Sequence, residues 1–430
     1  MFSFQKPKIS TNEAKINELL SRGIENVFPN REFLKSKMMK GEKLTIYLGI
    51  DPTGPTLHLG HVIPLMRLGK FQELGHQIIL LMGDFTAMIG DPTDKNATRR
   101  KLSQKEVLAN LKEYHKQASR FISFSGSNKA MFKFNSEWLA KMNFGDVLEL
   151  ASLMTVDQML KRDMFAKRRE AGEPIYIHEF LYPLMQGYDS VAMDVDGEIG
   201  GNDQTFNMLA GRDLMKSLKN KEKFVVATKL IVDPTGRKMG KTENNMVALN
   251  QSPEEMFGKV MSWDDELISP GFELVTGIAI DEIELIKKSL NSGDNPKKFK
   301  LRLAKEIVTL CYGEKSAKEA EENFEKTFSK GGVPDEVSEV VVAKETLLVD
   351  ILLAEKIVSS KTEWRRLIEE GAVTNMDTSD PSSRATVLEQ SSVHGEQLAT
   401  GRGKITDPEI KAMSGVYKIG KRRFIKIKVL

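Results

Sequence analysis

Cysteine is nearly absent: Cys311 is the only one in 430 residues. That excludes an internal disulfide and a cysteine-built zinc site, and it fits a reducing compartment. No stretch approaches the roughly 18 consecutive apolar residues of a membrane span. Met1 to Thr11 carry neither an apolar core nor an Arg-rich, acid-poor character, so no targeting signal is expected and the chain reads as cytoplasmic. A net charge of +3 is too small to establish a nucleic-acid partner. The balance of 40% hydrophobic and 29% charged residues is that of a soluble globular protein, and the length calls for two or three domains. Charge is nonetheless uneven. From Lys411 to Leu430 there are seven basic side chains and no acidic one.

The first half has the pattern of an α/β protein. Leu44 to Ile50 and Gln77 to Met82 are compact apolar runs ending near Gly and Asp, as buried parallel strands do. Between them Val62 to Leu74 has helical spacing and stops at Gly75. Strand, helix, strand predicts a βαβ unit in a doubly wound parallel, Rossmann-like sheet, with ligands at the carboxyl ends of the strands. Asp51-Pro52-Thr53, Asp91-Pro92-Thr93 and Asp233-Pro234-Thr235 fall at comparable places. Residues 105–180 carry amphipathic helices inserted between the halves of the sheet. Helices follow at Pro253 to Trp263, Asp281 to Ser289 and Pro296 to Tyr312, continuing through Glu325. Ser329 to Asp335 reads as a linker. Beyond it come helices Leu347 to Glu355 and Lys361 to Glu370, then Ala372 to Asn375 and one basic strand, Tyr417 to Val429.

Two segments carry chemistry. Tyr47 to His61 runs from a strand into a helix, and its His58-Leu59-Gly60-His61 places two imidazoles three residues apart on the first turn. A helix start offers free N–H groups to an anion, imidazoles add donors, and Gly60 permits close approach. Such an arrangement suits a triphosphate attacked at its α-phosphorus. The second segment, Lys238-Met239-Gly240-Lys241-Thr242, ends like a Walker loop, but Thr235 stands where the first glycine is required. Glycines around it predict a mobile loop that closes over pyrophosphate.

The two motifs, 180 residues apart from His58 to Lys238, resemble those of the class I aminoacyl-tRNA synthetases. Tyr47 with Gly49 and Asp51, Ile89 to Pro92, Tyr182 to Asp189, and Gly201 to Gln204 are similar to the bacterial-type tyrosyl-tRNA synthetases in particular, as is the S4-like tail. The resemblance implies an enzyme that activates L-tyrosine with Mg²⁺-bound ATP and transfers it to tRNA(Tyr), with no resident metal or organic cofactor. It implies that Asp91, Tyr182 and Gln186 hold the α-amino group and that Tyr47 and Asp189 hold the phenol. Gly49, Asp51, Gly60, Asp203 and Gln204 would serve ATP, ribose and the adenylate. Thr53, His58, His61, Lys95, Arg99, Lys238, Lys241 and Thr242 would stabilise the α-phosphate and departing pyrophosphate. Lys361, Arg365, Arg366, Lys421, Arg422 and Arg423 would bind RNA. Leu48, Asn202 and Thr93-Asp94 depart from the usual pattern without removing a group the chemistry needs.

The implied organisation is a catalytic domain at 1–242 with a helical connective and dimer region at about 120–190. An α-helical domain at 243–330, a linker at 331–344 and an S4-like α+β domain at 345–430 would follow, in a homodimer. A tryptophan-specific synthetase, a nucleotidylyltransferase and an inactive RNA-binding homologue are the competing expectations.

Overall fold

The computed structural model describes residues 9–91, 103–236, 238, 246–326, 337–376, 403–420 and 423–430. Expectations for Pro92, Thr93, Lys95, Arg99, Lys241, Thr242, Lys421, Arg422, the linker at 329–335 and the polar stretch at 378–402 lie outside the described residues. Two compact units divide the chain, residues 1–318 and 319–430.

In the first unit six strands are β1 (Ile24–Phe28), β2 (Thr45–Ile50), β3 (Gln77–Met82), β4 (Met131–Phe134), β5 (Gly197–Gly201) and β6 (Phe224–Thr228). Their order is β1-β6-β5-β2-β3-β4. The ladders β2–β3, β3–β4, β2–β5 and β5–β6 are parallel, and only the edge strand β1 runs antiparallel. This is the doubly wound, Rossmann-like α/β sheet, with one antiparallel edge. β3 and β6 are buried along almost their whole length, which is why they read as continuous apolar runs without alternation. The chain leaves β2 toward β3 and β4, then crosses back to β5, so the sheet switches direction between β2 and β5.

The helix after β2 spans Leu59–Glu73, starting three residues before the expected Val62 because His58 is its N-cap. Helices Ile177–Met193 and Thr205–Lys219 cross closely. A Cβ on Gly187 would lie 2.9 Å from Leu214 and 3.0 Å from the Gly211 backbone nitrogen, so glycine is what permits the approach. Helices Pro253–Met261, Ile268–Val275, Ile280–Asn291 and Pro296–Tyr312 complete the unit. Buried Arg22 ties this helical part to the sheet by donating to the carbonyls of Phe272, Glu273, Thr276 and Ile278.

The second unit contains β7 (Glu339–Val342), β8 (Val373–Asn375), β9 (Gly403–Lys404), β10 (Gly415–Ile419) and β11 (Arg423–Val429), in the order β7-β11-β10-β8-β9. Helices Leu348–Ala354 and Lys361–Glu369 cover it around buried Trp364, Tyr417, Ile425 and Ile427. The single strand expected from Tyr417 to Val429 is in fact an antiparallel hairpin. Gly420, at φ +66°, lets the chain leave β10 in a left-handed turn.

His76 supplies a pH-sensitive element. It is fully buried, its Nδ1 accepts from the Leu44 N–H at 3.3 Å, and burial lowers its pKa from 6.5 to about 4. The folded state therefore binds fewer protons than the unfolded state between these values. Its contribution is present above pH 6.5 and is lost as pH falls toward 4. His76→Gln keeps an acceptor for Leu44, so the drop in urea-unfolding free energy from pH 7 to 4.5 should be about 2 kcal/mol larger in wild type than in the variant. Equal drops would refute the assignment.

Candidate active site

A cleft of about 530 Å³ opens at the carboxyl ends of β2 and β5. It is lined by Tyr47, Gly49, Asp51, Thr53, His58, Gly60, His61, Asp91, Tyr182, Gln186, Asp189, Asp203, Gln204 and Lys238. Every candidate site residue of the catalytic half that lies within the described residues is thus gathered on one surface.

Asp51 closes β2. Its Oδ2 accepts from the Tyr182 hydroxyl at 2.9 Å and its Oδ1 from the Thr86 hydroxyl at 2.7 Å. Tyr182, a candidate with Asp91 and Gln186 for holding the α-amino group, gives its hydroxyl to Asp51, and the Asp91 charge also acts on it. Gln204 Nε2 donates to Asp91 Oδ2 at 2.8 Å. Gln186 Nε2 donates to Glu198 Oε1 at 3.2 Å, while its own Oε1 is buried without a partner. A buried acceptor left over at the cleft is suited to a ligand cation or N–H.

Deeper in, Asp189 accepts from the Trp138 indole N–H at 2.8 Å and from Asn135 at 3.3 Å. Burial pushes its pKa well above the usual carboxylate range, against those two donors. Tyr47 is buried beside it, with its hydroxyl 2.9 Å from Ser190 Oγ. Burial, reinforced by the Glu198 and Asp189 charges, raises its pKa well above 10, so it remains a phenol.

The mouth of the cleft differs from the expectation in one respect. The N–H groups of Leu59, Gly60 and His61 are not open to an anion. They donate to Val247 O, His58 Nδ1 and His58 O at 3.0, 3.1 and 2.8 Å. The helix start is closed by its own histidine cap, so anion binding there falls to side chains. His61 Nδ1 in turn accepts from the His58 N–H at 3.2 Å, and the two rings lie 4.0 Å apart. With each Nδ1 accepting, a neutral imidazole carries its proton on Nε2, and both histidines become donors at that atom. The loop before them is pinned from behind: Asn110, Gln117 and Tyr114 bond Pro52 O, Leu57 N and Gly54 O at 2.7–2.8 Å. Lys238 Nζ sits 2.7 Å from Asp203 Oδ2 across the mouth.

Sequence reasoning missed Thr86, Asn135, Trp138, Ser190, Glu198 and Lys223. Asn135 directly follows β4, so the rule that located Asp51 could have found it. Lys223 lies in a Lys-Asn-Lys-Glu-Lys run that reads as solvated, yet its side chain is fully buried. In the second unit Lys361, Arg365 and Arg366 are exposed on one helix. Arg423, the other described candidate for RNA contact, pairs with Glu363 at 2.8 Å.

Comparison with known proteins decides the family. A model of the tRNA synthetases class I (W and Y) matches residues 39–329. The chain belongs to this family. The tyrosine–tRNA ligase of Carboxydothermus hydrogenoformans is 41% identical over 421 residues, covering 95% of this chain and 97% of that protein. That of Legionella pneumophila is 41% identical over 416 residues, covering 95% and 96%. Among solved structures, a C-terminally truncated mitochondrial tyrosyl-tRNA synthetase from Aspergillus nidulans shares the fold, with a TM-score of 0.62 at 23% identity over 73% of this chain and 94% of that one. The tyrosyl-tRNA synthetase of Archaeoglobus fulgidus, complexed with L-tyrosine, does so with a TM-score of 0.58 at 23% identity over 72% and 100%.

Gly83 sets the position of Asp51 in this class I synthetase. A Cβ there would overlap Asp51 Oδ1 and Thr86 Oγ1. A crystal structure of Gly83→Ala should show the Asp51 carboxylate displaced from the Tyr182 hydroxyl. An unmoved carboxylate would remove the steric argument.

Proposed function

We propose that this synthetase activates L-tyrosine with ATP and transfers it to the 3′ end of tRNA(Tyr). The observation that carries the reading is the two-ended cleft. One end holds Tyr47, Asp189 and the unpartnered Gln186 Oε1; the other holds His58, His61 and Lys238. The relatives that match along almost the whole chain are tyrosine–tRNA ligases.

The substrate phenol would sit against Tyr47 and Asp189, one a hydroxyl and the other an acceptor. Phenylalanine would leave unmet the further hydrogen bond that each offers a phenol beyond its bonds within the protein, and such a loss costs about 1–3 kcal/mol per buried group. The substrate ammonium would meet Asp91 and Gln186 Oε1. Its carboxylate then attacks the α-phosphorus of Mg²⁺-bound ATP, forming the acyl–phosphate anhydride as pyrophosphate leaves. His58 and His61 donate from Nε2, and Lys238 adds positive charge, where phosphate charge develops. In the second step a ribose hydroxyl at the tRNA end attacks the acyl carbon and AMP departs. No protein nucleophile is required; positioning and electrostatics do the chemistry. The exposed Lys361, Arg365 and Arg366 support phosphate contact by the second unit. The bacterial origin of the relatives that match along almost the whole chain supports a cytoplasmic reaction.

Tyrosine-dependent ATP–pyrophosphate exchange is the test. Tyrosine should support exchange and tryptophan should not, and removal of residues 345–430 should abolish tRNA charging while sparing exchange. His58→Ala should lower exchange by about 10²–10³-fold with tyrosine affinity nearly unchanged. A loss confined to tyrosine affinity would refute the role of His58.

We also infer a homodimer through residues 131–177. Phe144 and Ile177 are 76% and 82% exposed, and Leu148 and Val156, in the same segment of the chain, are exposed as well. Large apolar side chains left exposed along one segment support an interface there. Phe144→Glu combined with Ile177→Glu should convert a sedimenting dimer to a monomer; a monomeric wild type would overturn the inference.

A further inference from the structure

Behind Tyr47 lies a buried polar chain that the mechanism above does not use. Lys223 and Ser190 are both fully buried, and Glu198 nearly so. Lys223 Nζ donates to Ser190 Oγ at 2.7 Å, to Met208 O at 3.2 Å and to Glu198 Oε2. Glu198 also accepts from Gln186, and it is the Cα partner of Tyr47 across the β2–β5 ladder. The strand register therefore fixes this carboxylate beside the phenol. Space for the ammonium comes from Gly211, where a Cβ would stand 2.6 Å from Lys223 Nζ and 2.9 Å from Ser190 Oγ.

The directions of the bonds follow from donor chemistry. An ammonium can only donate, so Ser190 Oγ accepts from Lys223. Apart from Lys223, the group bonded to Ser190 Oγ is the Tyr47 hydroxyl, at 2.9 Å. The Ser190 proton thus goes to Tyr47 Oη. Tyr47 then keeps its own proton, which it can offer to Glu198, a carboxylate that also acts on this hydroxyl, or to a phenol bound beside it.

We propose that Lys223 and Ser190, held by Glu198, are positioning residues that fix Tyr47 as a hydrogen-bond donor to the phenolic oxygen of the substrate, and so set the preference for a para-hydroxylated amino acid. The proposal rests on reading the cleft as a tyrosine pocket. Ser190 touches no substrate; it acts through Tyr47. Asp189 accepts the substrate phenol's proton while Tyr47 donates to its oxygen, so the two ends of that hydroxyl are read separately.

The test uses full-length enzyme in steady-state exchange with L-tyrosine and with L-phenylalanine. For Ser190→Ala, KM for tyrosine should rise about tenfold, the effect of one lost hydrogen bond. The kcat should stay within about twofold, and kcat/KM for phenylalanine should move less than about twofold, so discrimination falls about tenfold. Lys223→Met combined with Glu198→Gln removes both charges together, leaves no orphaned ion, and should show the same tyrosine-specific loss. Equal losses for both amino acids, or no change in either variant, would overturn the proposal. If wild-type enzyme gives no exchange with tyrosine, the tyrosine reading itself fails; wild-type exchange with an unaltered Ser190→Ala enzyme overturns only the relay.

Discussion

Strand β2 pairs in parallel with β3 on one side and β5 on the other, and the site depends on this branching. The chain leaves β2 in one direction and returns to β5 from the other, so the loops at their carboxyl ends diverge and open a crevice. The ladder places Tyr47 opposite Glu198. It also aligns Gly49 and Ile50 with Leu81 and Met82, which brings Gly83 and Thr86 up against Asp51. A slip of one residue in either pairing would send Tyr47 or Glu198 to the opposite face. The buried apolar runs of β2, β3 and β6 hold that register.

Into this crevice the chain brings five carboxylates: Asp51, Asp91, Asp189, Glu198 and Asp203. Like charges so close would repel strongly in a water-poor cleft. Each is met by specific donors: Tyr182 and Thr86, Gln204, Trp138 and Asn135, Lys223 and Gln186, and Lys238 respectively. Where burial dominates, as at Asp189, the proton is retained more readily than at an ordinary carboxylate. The result is a polarised cleft. Acceptors crowd the end against the sheet, and the imidazole and lysine donors lie at the mouth. An amino acid zwitterion matches this polarity one way round, with its ammonium toward the acceptors and its carboxylate toward the mouth.

The strands β2 and β3, the helix Pro296–Tyr312 and the two helices of the second unit were legible in the sequence because each is a local pattern of apolar spacing. The site residues near motifs were legible for the same reason: Asp51, His58, Tyr182 and Asp203 sit next to strand ends or on a helix with a recognisable neighbourhood. What was not legible depends on partners far apart in sequence. Thr86 meets Asp51 across 35 positions and Trp138 meets Asp189 across 51. Nothing local to Lys223 shows that the crossing of two helices at Gly187 and Gly211 leaves a pocket for its ammonium. The histidine cap was hidden differently. His58 and His61 were correctly placed at a helix start, but a histidine can serve as acceptor to the backbone as well as donor to a ligand. Only the geometry shows the first role at Nδ1, and with it the tautomer that leaves Nε2 to donate.

The buried pair Lys223–Glu198 is hard to explain by stability. Removing two charges from water costs several kcal/mol per ion, and well-packed apolar side chains of similar volume often serve a fold as well or better. Two adjoining glycines, each conformationally costly within a helix, are also needed so that the helices can cross beside it. An apolar floor would avoid both costs, but it would leave Ser190 free to turn its hydroxyl elsewhere. Tyr47 could then accept or donate with equal ease. The ion pair removes that freedom, because an ammonium cannot accept a hydrogen bond. One-way donation enters the chain at Lys223 and is passed through Ser190 to the phenol. The orientation of a single proton at the pocket floor is thereby set by a charge that never reaches the ligand.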